Sequence, residues 1–577
     1  MNFSAIFHRA SENQCYAVDE NTIEIKVKTG YDVDKVNLYY GDPFDGGILG
    51  GNWKWNGEQI EFQEVYELEY HKVWVIRVIP KHKRLKYYFE FFSGDEKILF
   101  FEDGFLSHEQ AQTKSLQCFT MPWINPSDVA VTPSWAKAMI WYQIFPDRFC
   151  KLDSNKKNVV EWGSRKPSNE DIYGGDLKGI ISKLDYIKSF GVTGIYLNPI
   201  FKALATHKYD TTDYYEIDEM FGDKETFKEF VTECHKRNIK VMLDGVFNHC
   251  GVDFAPWQDV LKNGQKSKYF DWFMINQFPF DTKKDHTRDS EFYSFAFTSR
   301  MPKLNTNNQE VIEYIKDICK YWIREYDIDA WRLDVANEIS HLMCKKIRTA
   351  CREVKKDVYI LGEIWHDSID WLRGDEFDAV MNYPLTTAIN DFWFRKETTN
   401  KDFEHSVNNC YQRYTQQTNA VTFNLLDSHD TDRLYHRVGK NQNVFYQQLA
   451  ILFTMPGAKS IYYGTEIMMD GAHDPDCRAC MPWQDIESGK YDEHIKLMQD
   501  LTYMHNTEKA FKSQKIRFEN SYGLDRVIEY VRDDSVRVII NASEKELPIL
   551  VDEGKILFKY RTNAQILLPE GVIIHKL

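Results

Sequence analysis

The chain has 577 residues, room for several domains at roughly 150 residues each, and a net charge of −15, which argues against nucleic-acid and anionic-membrane partners. Aromatic residues make up 15% of it, more than packing usually asks for, and exposed rings are platforms for sugar faces as readily as they are core. Its 11 cysteines, odd in number and widely scattered, fit reduced thiols in a cytoplasm better than a disulfide framework.

From the start of the chain, Met1 to Ala10 has no apolar core flanked by a cleavage site, so no signal peptide is expected. No apolar run of about 18 or more residues suggests a membrane span. Residues 22–28 alternate as a half-buried strand does, and short strands follow at 36–40, 65–70, 73–79, 85–92 and 98–101, separated by Gly, Pro, Asp and His clusters. This predicts a β-sandwich over residues 1–122. Tyr39, Tyr40, Trp53 and Trp55 could meet sugar there, and core is the plainer reading for each.

After a Pro-containing linker near 121–133 the period changes. Apolar strands are expected at 138–145, 193–197, 239–247, 328–333, 358–364, 379–383, 421–426 and 459–463. Helices are expected at 177–190, 224–236, 311–324, 339–354, near 369–372, and at 401–414, 444–453 and 493–506. Eight such units predict an α/β fold, a (β/α)8 TIM barrel over residues 123–506. A doubly wound open sheet ranks second, because no Gly-rich phosphate loop accompanies the strands. About 60 residues separate the third strand from its helix, too long for a plain connection. Residues 250–305, rich in aromatics such as Tyr269, Phe270, Trp272, Phe292 and Phe295, are therefore expected to form a subdomain over the barrel mouth. Short strands from 516 to 568 predict a C-terminal β-sandwich over 507–577. Cys477 and Cys480 form a lone C-x-x-C with no second pair, which is weak ground for a zinc or redox site.

In this barrel type active residues sit at the C-terminal ends of strands. Those ends read Asp244 to Asn248 and His249 on the third strand, Arg332 and Asp334 on the fourth, Glu363 and Trp365 on the fifth, and His429 and Asp430 on the seventh. Arg332 and Asp334 are two apart, so on a strand they share a face, and the guanidinium is expected to keep the carboxylate ionised. An isolated pair of this kind is usually structural; here carboxylates, imidazoles and a tryptophan converge with it. No Cys/His cluster suits catalytic zinc and no serine sits in a nucleophile elbow. Two carboxyl groups, one ionised and one protonated, are the machinery of glycoside hydrolysis. Asp334, Asp430 and the flanking Ile364 and Trp365 are expected to raise the pKa of Glu363.

These strand ends resemble the signature regions of the α-amylase family, glycoside hydrolase family 13. The segment Arg332-Leu333-Asp334-Val335-Ala336-Asn337-Glu338, with Met301-Pro302-Lys303-Leu304-Asn305 and Gly362-Glu363-Ile364-Trp365, is similar to the neopullulanase, cyclomaltodextrinase and maltogenic amylase subgroup. The resemblance covers nearly the whole chain. It implies Asp334 as nucleophile, Glu363 as acid and base, and Asp430 as the ligand of the 2- and 3-hydroxyls. It implies that Arg332 orients Asp334, that His249 and His429 bond the same sugar, and that Tyr209, near His207, stacks under it. Asn337, Glu338 and Trp365 resemble acceptor-side residues, and Asp474 and Arg478 donor-side ones, against a plain surface ion pair for the last two. Asp244 and Asn248 look structural.

Subgroup members often bind calcium with oxygen ligands in the loop after the first strand. Asp153, Gly174 and Asp176 match that site, but Lys151, Lys156 and Lys157 crowd it, and a lysine ammonium could supply the charge instead. No other cofactor is implied. The resemblance implies hydrolysis of α-1,4 bonds, with some α-1,6, in cyclodextrins, maltooligosaccharides and pullulan, with transfer to sugar acceptors. It also implies a cytoplasmic homodimer in which one copy's N-terminal sandwich caps the other's mouth. The alternatives are a glucan transferase, a general starch-acting α-amylase, a non-catalytic scaffold that has lost a carboxylate, and a carbohydrate-binding role of the N-terminal sandwich.

Overall fold

The computed structural model describes residues 1–44, 57–114, 116–153 and 156–577; Trp53 and Trp55 lie outside them. The chain forms two compact units. One comprises Met1–Val131, Ile369–Asp375 and Thr387–Asn419, the other Thr132–Ser368, Glu376–Thr386 and Ala420–Leu577.

In the first unit, two antiparallel sheets enclose a core of Ile25, Val27, Trp74, Tyr87, Phe89 and Phe91. The strand Ile23–Thr29 is buried on both faces rather than one, Glu24 and Lys26 included. Buried charge needs partners. Glu24 accepts from Tyr16 Oη at 2.6 Å and Arg77 Nε at 2.9 Å, and Lys26 Nζ donates to the Tyr414 carbonyl at 3.4 Å. The helix Asn400–Gln412, expected among the barrel helices, belongs to this unit, where Asn408 donates to the Glu67 carbonyl at 2.9 Å.

The second unit is built on eight parallel strands: β1 Ile140–Ile144, β2 Gly194–Leu197, β3 Lys240–Gly245, β4 Ala330–Leu333, β5 Tyr359–Gly362, β6 Ala379–Val380, β7 Phe423–Asn424 and β8 Ala458–Tyr462. Their order is β6-β5-β4-β3-β2-β1-β8-β7, and a parallel bridge between Met381 and Phe423 closes the barrel. Such strands are buried on both faces and therefore read as apolar runs rather than alternations. The longest helix, Gln309–Tyr326, starts where the Asn308 side chain accepts from the Glu310 and Val311 backbone N–H groups. Its Val311, Ile315, Ile318, Trp322 and Ile323 face is buried at helical spacing, and Asp327 ends it in the left-handed region.

Several elements had no counterpart in the expected order, a helix and a hairpin near the barrel strands among them. The helix Tyr383–Phe394 begins inside the segment read as the sixth strand, which shrinks to Ala379–Val380. A hairpin of Phe201–Ala203 and Thr211–Ile217 follows β2. The excursion after β3 holds a helix, Ala255–Asn263, and several 3-10 turns around Trp257, Phe273 and Phe292. The C-terminal residues form a six-stranded antiparallel sheet around Val527, Ile539, Leu567 and Ile573. No described helix is long and apolar enough to cross a membrane.

Candidate active site

Strand register sets the centre of the site. Asp244 on β3 lies opposite Arg332 on β4, and Leu333 opposite Gly362 on β5. Asp334 and Glu363 are thus the next pair beyond the last registered one, on strands that stand about 4.8 Å apart. The Glu363 N–H donates to the Leu333 carbonyl at 3.0 Å and the Asp334 N–H to the Gly245 carbonyl at 3.1 Å, so both backbones are held where the strands end.

Arg332 is fully buried and serves three carboxylates. Its Nη1 donates to Asp334 Oδ1 at 2.7 Å and to Asp244 Oδ1 at 2.9 Å, and its Nη2 lies 3.0 Å from Glu363 Oε2. Glu363 also accepts from the Val335 N–H at 2.9 Å and from the Trp365 indole at 3.1 Å. Val335 makes that bond from φ 45°, a left-handed conformation that a β-branched residue adopts only under constraint.

These contacts reverse the shift expected for Glu363 from sequence. Burial pushes the Asp334 carboxyl well up, against the pull of Arg332, and the charge of Glu363 adds to the rise. Burial acts the same way on Glu363, but Arg332, the Val335 N–H and the indole outweigh it and hold that carboxyl below its usual range. The two carboxyls are thus shifted in opposite directions, Asp334 up and Glu363 down. The expectation failed because it counted the negative neighbours of Glu363 and not the three donors that turn toward it.

Asp430 sits half-buried, its carboxyl pushed up to about 7 by burial and then by the charge of Glu363. His429 Nε2 lies 3.1 Å from Asp430 Oδ2 and 2.6 Å from the Tyr209 hydroxyl, while its Nδ1 faces the Gln143 amide nitrogen at 2.8 Å. Burial keeps this imidazole neutral, and the Gln143 donor places its hydrogen on Nε2. Tyr209 donates to Asp244 at 2.9 Å and stacks on His429, ring centres 5.5 Å apart. The Tyr209 N–H donates to His207 Nδ1 at 3.0 Å. Arg478 Nη2 reaches Asp430 Oδ1 at 3.4 Å and Asp474 Oδ2 at 3.3 Å, and its Nε donates to the His429 carbonyl. Asp474 and Arg478 therefore join the central carboxylates and are not an isolated surface pair.

A cavity of about 600 Å³ lies over this centre. Asp334, Glu363, Asp430, His207, Tyr209, His249, Asn337, Glu338, Trp365, Asp474 and Arg478 all line it, with Arg332 and His429 buried beneath. His249 stacks on Phe295 at 5.0 Å, and its Nε2 is buried without a hydrogen-bond partner. Burial lowers its pKa to about 3, so it is neutral. Trp365 is half exposed and stacks on Tyr383, ring centres 3.5 Å apart. A flat exposed ring beside an unpartnered imidazole suits a ligand with one apolar face and many hydroxyls.

Phe295, Met301 and Asn169 also line the cavity; Phe295 and Met301 were named only as parts of the excursion and the signature segment, without a site role, and Asn169 was not named. Phe295 and Met301 come from the long excursion, whose aromatic richness was the available signal; Asn169 had none. Asp153, Gly174 and Asp176 are not among the lining residues. The Asp153 N–H donates to Asp176 Oδ2 at 3.3 Å, and Lys156 Nζ donates to Asp176 Oδ2 at 3.0 Å and to the Gly174 carbonyl at 2.8 Å. No group of three or more His, Cys, Asp or Glu placed to hold a metal occurs among the described residues.

Residues 143–527 match the family model described as the alpha amylase catalytic domain, and residues 1–125 the alpha amylase N-terminal ig-like domain. A cyclomaltodextrinase of Geobacillus thermopakistaniensis is 42% identical over 97% of this chain and 95% of its own. An intracellular maltogenic amylase of Bacillus subtilis is 43% identical over 89% of this chain and 86% of its own. Among solved structures, a cyclomaltodextrinase superposes with a TM-score of 0.88 at 35% identity, covering 100% of this chain and 98% of that one.

Proposed function

The chain belongs to the α-amylase family, and on that premise we propose that it is a retaining α-glucan hydrolase of the cyclomaltodextrinase, maltogenic amylase and neopullulanase kind. It opens cyclodextrins and cleaves α-1,4 bonds, with some α-1,6, in maltooligosaccharides and pullulan. The observation that carries this reading is Asp334 and Glu363 side by side at neighbouring strand ends, against one buried guanidinium, under a cavity. Retention by double displacement uses carboxyls about 5–5.5 Å apart, close to the spacing of neighbouring strands; inversion needs a wider gap for a water.

In this reading Glu363 gives its proton to the leaving glycosidic oxygen while Asp334 attacks the anomeric carbon, forming a β-glycosyl-enzyme. Glu363 then takes a proton from the water, or from the sugar hydroxyl, that attacks the same carbon, and Asp334 leaves. Asp430, His429 and the free Nε2 of His249 bind hydroxyls of the reacting ring, and Tyr209 lies beneath it. Arg332 fixes both carboxyls. Asn337, Glu338 and Trp365 take the acceptor side, Asp474 and Arg478 the donor side. Side chains and solvent supply every group, so the chemistry needs no cofactor.

We also place the enzyme in the cytoplasm, supported by cysteines that are free among the described residues and by the intracellular relative. Its working form is a homodimer that narrows the mouth for small substrates.

Initial rates on β-cyclodextrin, pullulan and soluble starch, for the wild type and Asp334→Asn, test the function. Fast cyclodextrin opening and slow starch turnover are expected, with both falling by about 10³-fold or more in the variant. Starch cleavage outpacing cyclodextrin opening would refute the subgroup specificity. A variant with near-normal rates would remove Asp334 from its role.

A further inference from the structure

Two lysines are the centres of small cages of oxygen atoms. Lys156, 12% exposed, donates from Nζ to the Gly174 carbonyl at 2.8 Å, to Asp176 Oδ2 at 3.0 Å and to the Met220 carbonyl at 2.6 Å. An ammonium has three N–H bonds, and all three are used. The cage spans the loop after β1, whose Asn169 lines the cavity, and the turn before the helix Lys224–Lys236. Lys303, 19% exposed, donates to Asn248 Oδ1, to the Glu338 carbonyl at 3.1 Å and to Glu338 Oε2 at 3.4 Å. It ties the root of the excursion to the ends of β3 and β4.

The family likeness brings calcium to the first of these places, and the donor set does not fit it. Calcium takes six to eight oxygens at about 2.3–2.6 Å. Here one carboxylate oxygen and two carbonyls converge, and a fixed ammonium stands among them. The other oxygen of Asp176 is engaged, accepting from the Gly179 N–H at 2.6 Å as a helix cap. The Gly174-Gly175 pair is explained without a metal. Gly174 has φ 85°, and a Cβ there would lie 3.3 Å from Lys156 Cδ; at Gly175 it would lie 2.1 Å from the Pro146 carbonyl. The loop is shaped to let the lysine stem and the backbone approach, and a second cation beside the ammonium would be repelled.

We propose that the tethered ammonium groups of Lys156 and Lys303, and no bound metal ion, are the cations that hold the loops framing the cavity. Each gathers oxygens from segments far apart in sequence, as a structural ion does, with the entropy of capture already met by the chain. A cation that is part of the chain cannot be chelated away, so fold and mouth geometry hold at any calcium level.

Thermal melting of the full chain, dialysed against EDTA and then given millimolar calcium, tests this, with elemental analysis of the purified protein. The wild-type Tm is expected to move by less than about 1 °C between the two buffers, with calcium well below one per chain. Lys156→Met and Lys303→Met are each expected to lower Tm by about 3 °C or more in both buffers. A wild type that loses Tm in EDTA and regains it with calcium overturns the proposal, as does stoichiometric calcium in the purified protein. A variant that melts with the wild type removes that lysine. Should a variant fail to fold, the wild-type melts and metal content still decide. None of these readouts involves glucan turnover, so they stand or fall apart from the proposed activity.

Discussion

At the scale of single residues the site turns on one guanidinium shared by three carboxyls, of which Asp334 and Glu363 face the cavity. The donors around Glu363 pull its carboxyl down while burial pushes that of Asp334 up, whereas the proposed reaction places the proton on Glu363. A glycosidic oxygen entering beside Glu363 accepts a hydrogen bond only from the protonated form. On the proposed mechanism glucan binding favours the proton on Glu363, with Arg332 as the counter-ion of an ionised Asp334. Replacing Glu363 by Gln tests the coupling. Part of the rise in the Asp334 pKa comes from the charge of Glu363, so removing that charge lowers it. With a glucosyl fluoride, whose leaving group needs no acid, the acid limb of kcat/KM reports the ionisation of the nucleophile. In Glu363→Gln that limb is expected to move to lower pH, while turnover of natural glucans falls by about 10²–10⁴-fold. A limb that stays in place or moves up would dissociate the two groups. The carboxylates, Arg332 and the histidines were legible in sequence because strand ends and a two-residue spacing fix where they point. Gln143, and the particular contacts that Lys303 and Phe295 make, were not, since these residues act through partners 35 or more positions away, across loops whose path no local pattern records. The left-handed Val335 was equally hidden, for its strain is imposed by the neighbouring strand end.

At the scale of elements, the two ends of β4 divide the labour. Its C-terminal end carries the chemistry; just before its N-terminal end Asp329, fully buried, binds β3 and two surrounding helices together. It lies 2.8 Å from His235 Nε2, 2.8 Å from Lys240 Nζ and 2.7 Å from Lys355 Nζ, and accepts from the Val241 N–H at 3.0 Å. Burial opposes the charge, but these partners outweigh it and hold the carboxyl well below its usual range. A lowered folded-state pKa stabilises the fold above the unfolded value of about 4, and that stability is lost as pH falls toward the folded value. Asp329→Asn leaves Lys240, Lys355 and His235 facing an amide and is expected to lower stability by about 2–4 kcal/mol at pH 7, less than a fully dry ion cluster because these three partners are partly exposed. The gap to wild type should begin to narrow below about pH 4 and go on narrowing toward the folded value, and KM for cyclodextrin, measured well below Tm, should not change. Denaturant melts at pH 7 and pH 3.5 with matched kinetics check it; a constant gap, or a changed KM, would contradict a purely structural role. The same elements mark what local pattern reveals. The helix Lys224–Lys236 coincides with its expected span, because Asp223 caps it and its apolar face repeats cleanly. The helix Tyr383–Phe394 was missed because its first residue was read as the end of the sixth strand and its apolar residues do not gather on one clear face at helical spacing.

At the scale of the whole molecule, the expected boundaries at 122 and 506 followed changes of period, while the compact units follow packing. The helix expected at 401–414 lies in a segment, 387–419, that joins the N-terminal unit in space, a choice of partner that periodicity does not encode. The proposed dimer belongs to this scale, and charge makes it testable. Each copy carries −15, so association brings like charges together and weakens as ionic strength falls and the Debye length grows. The substrates are neutral, so salt does not otherwise change their encounter with the site. If a second copy narrows the mouth, dilution at low salt should release monomers with an open cavity. The ratio of starch to cyclodextrin turnover should then rise as the mass seen by light scattering falls from twice that of the chain to one, and added salt should reverse both changes together. A ratio that stays constant while the mass halves would mean that each chain shapes its own mouth. A mass of one chain at all concentrations, with cyclodextrin still preferred, would assign the same role to the excursion carrying Phe295 and Met301.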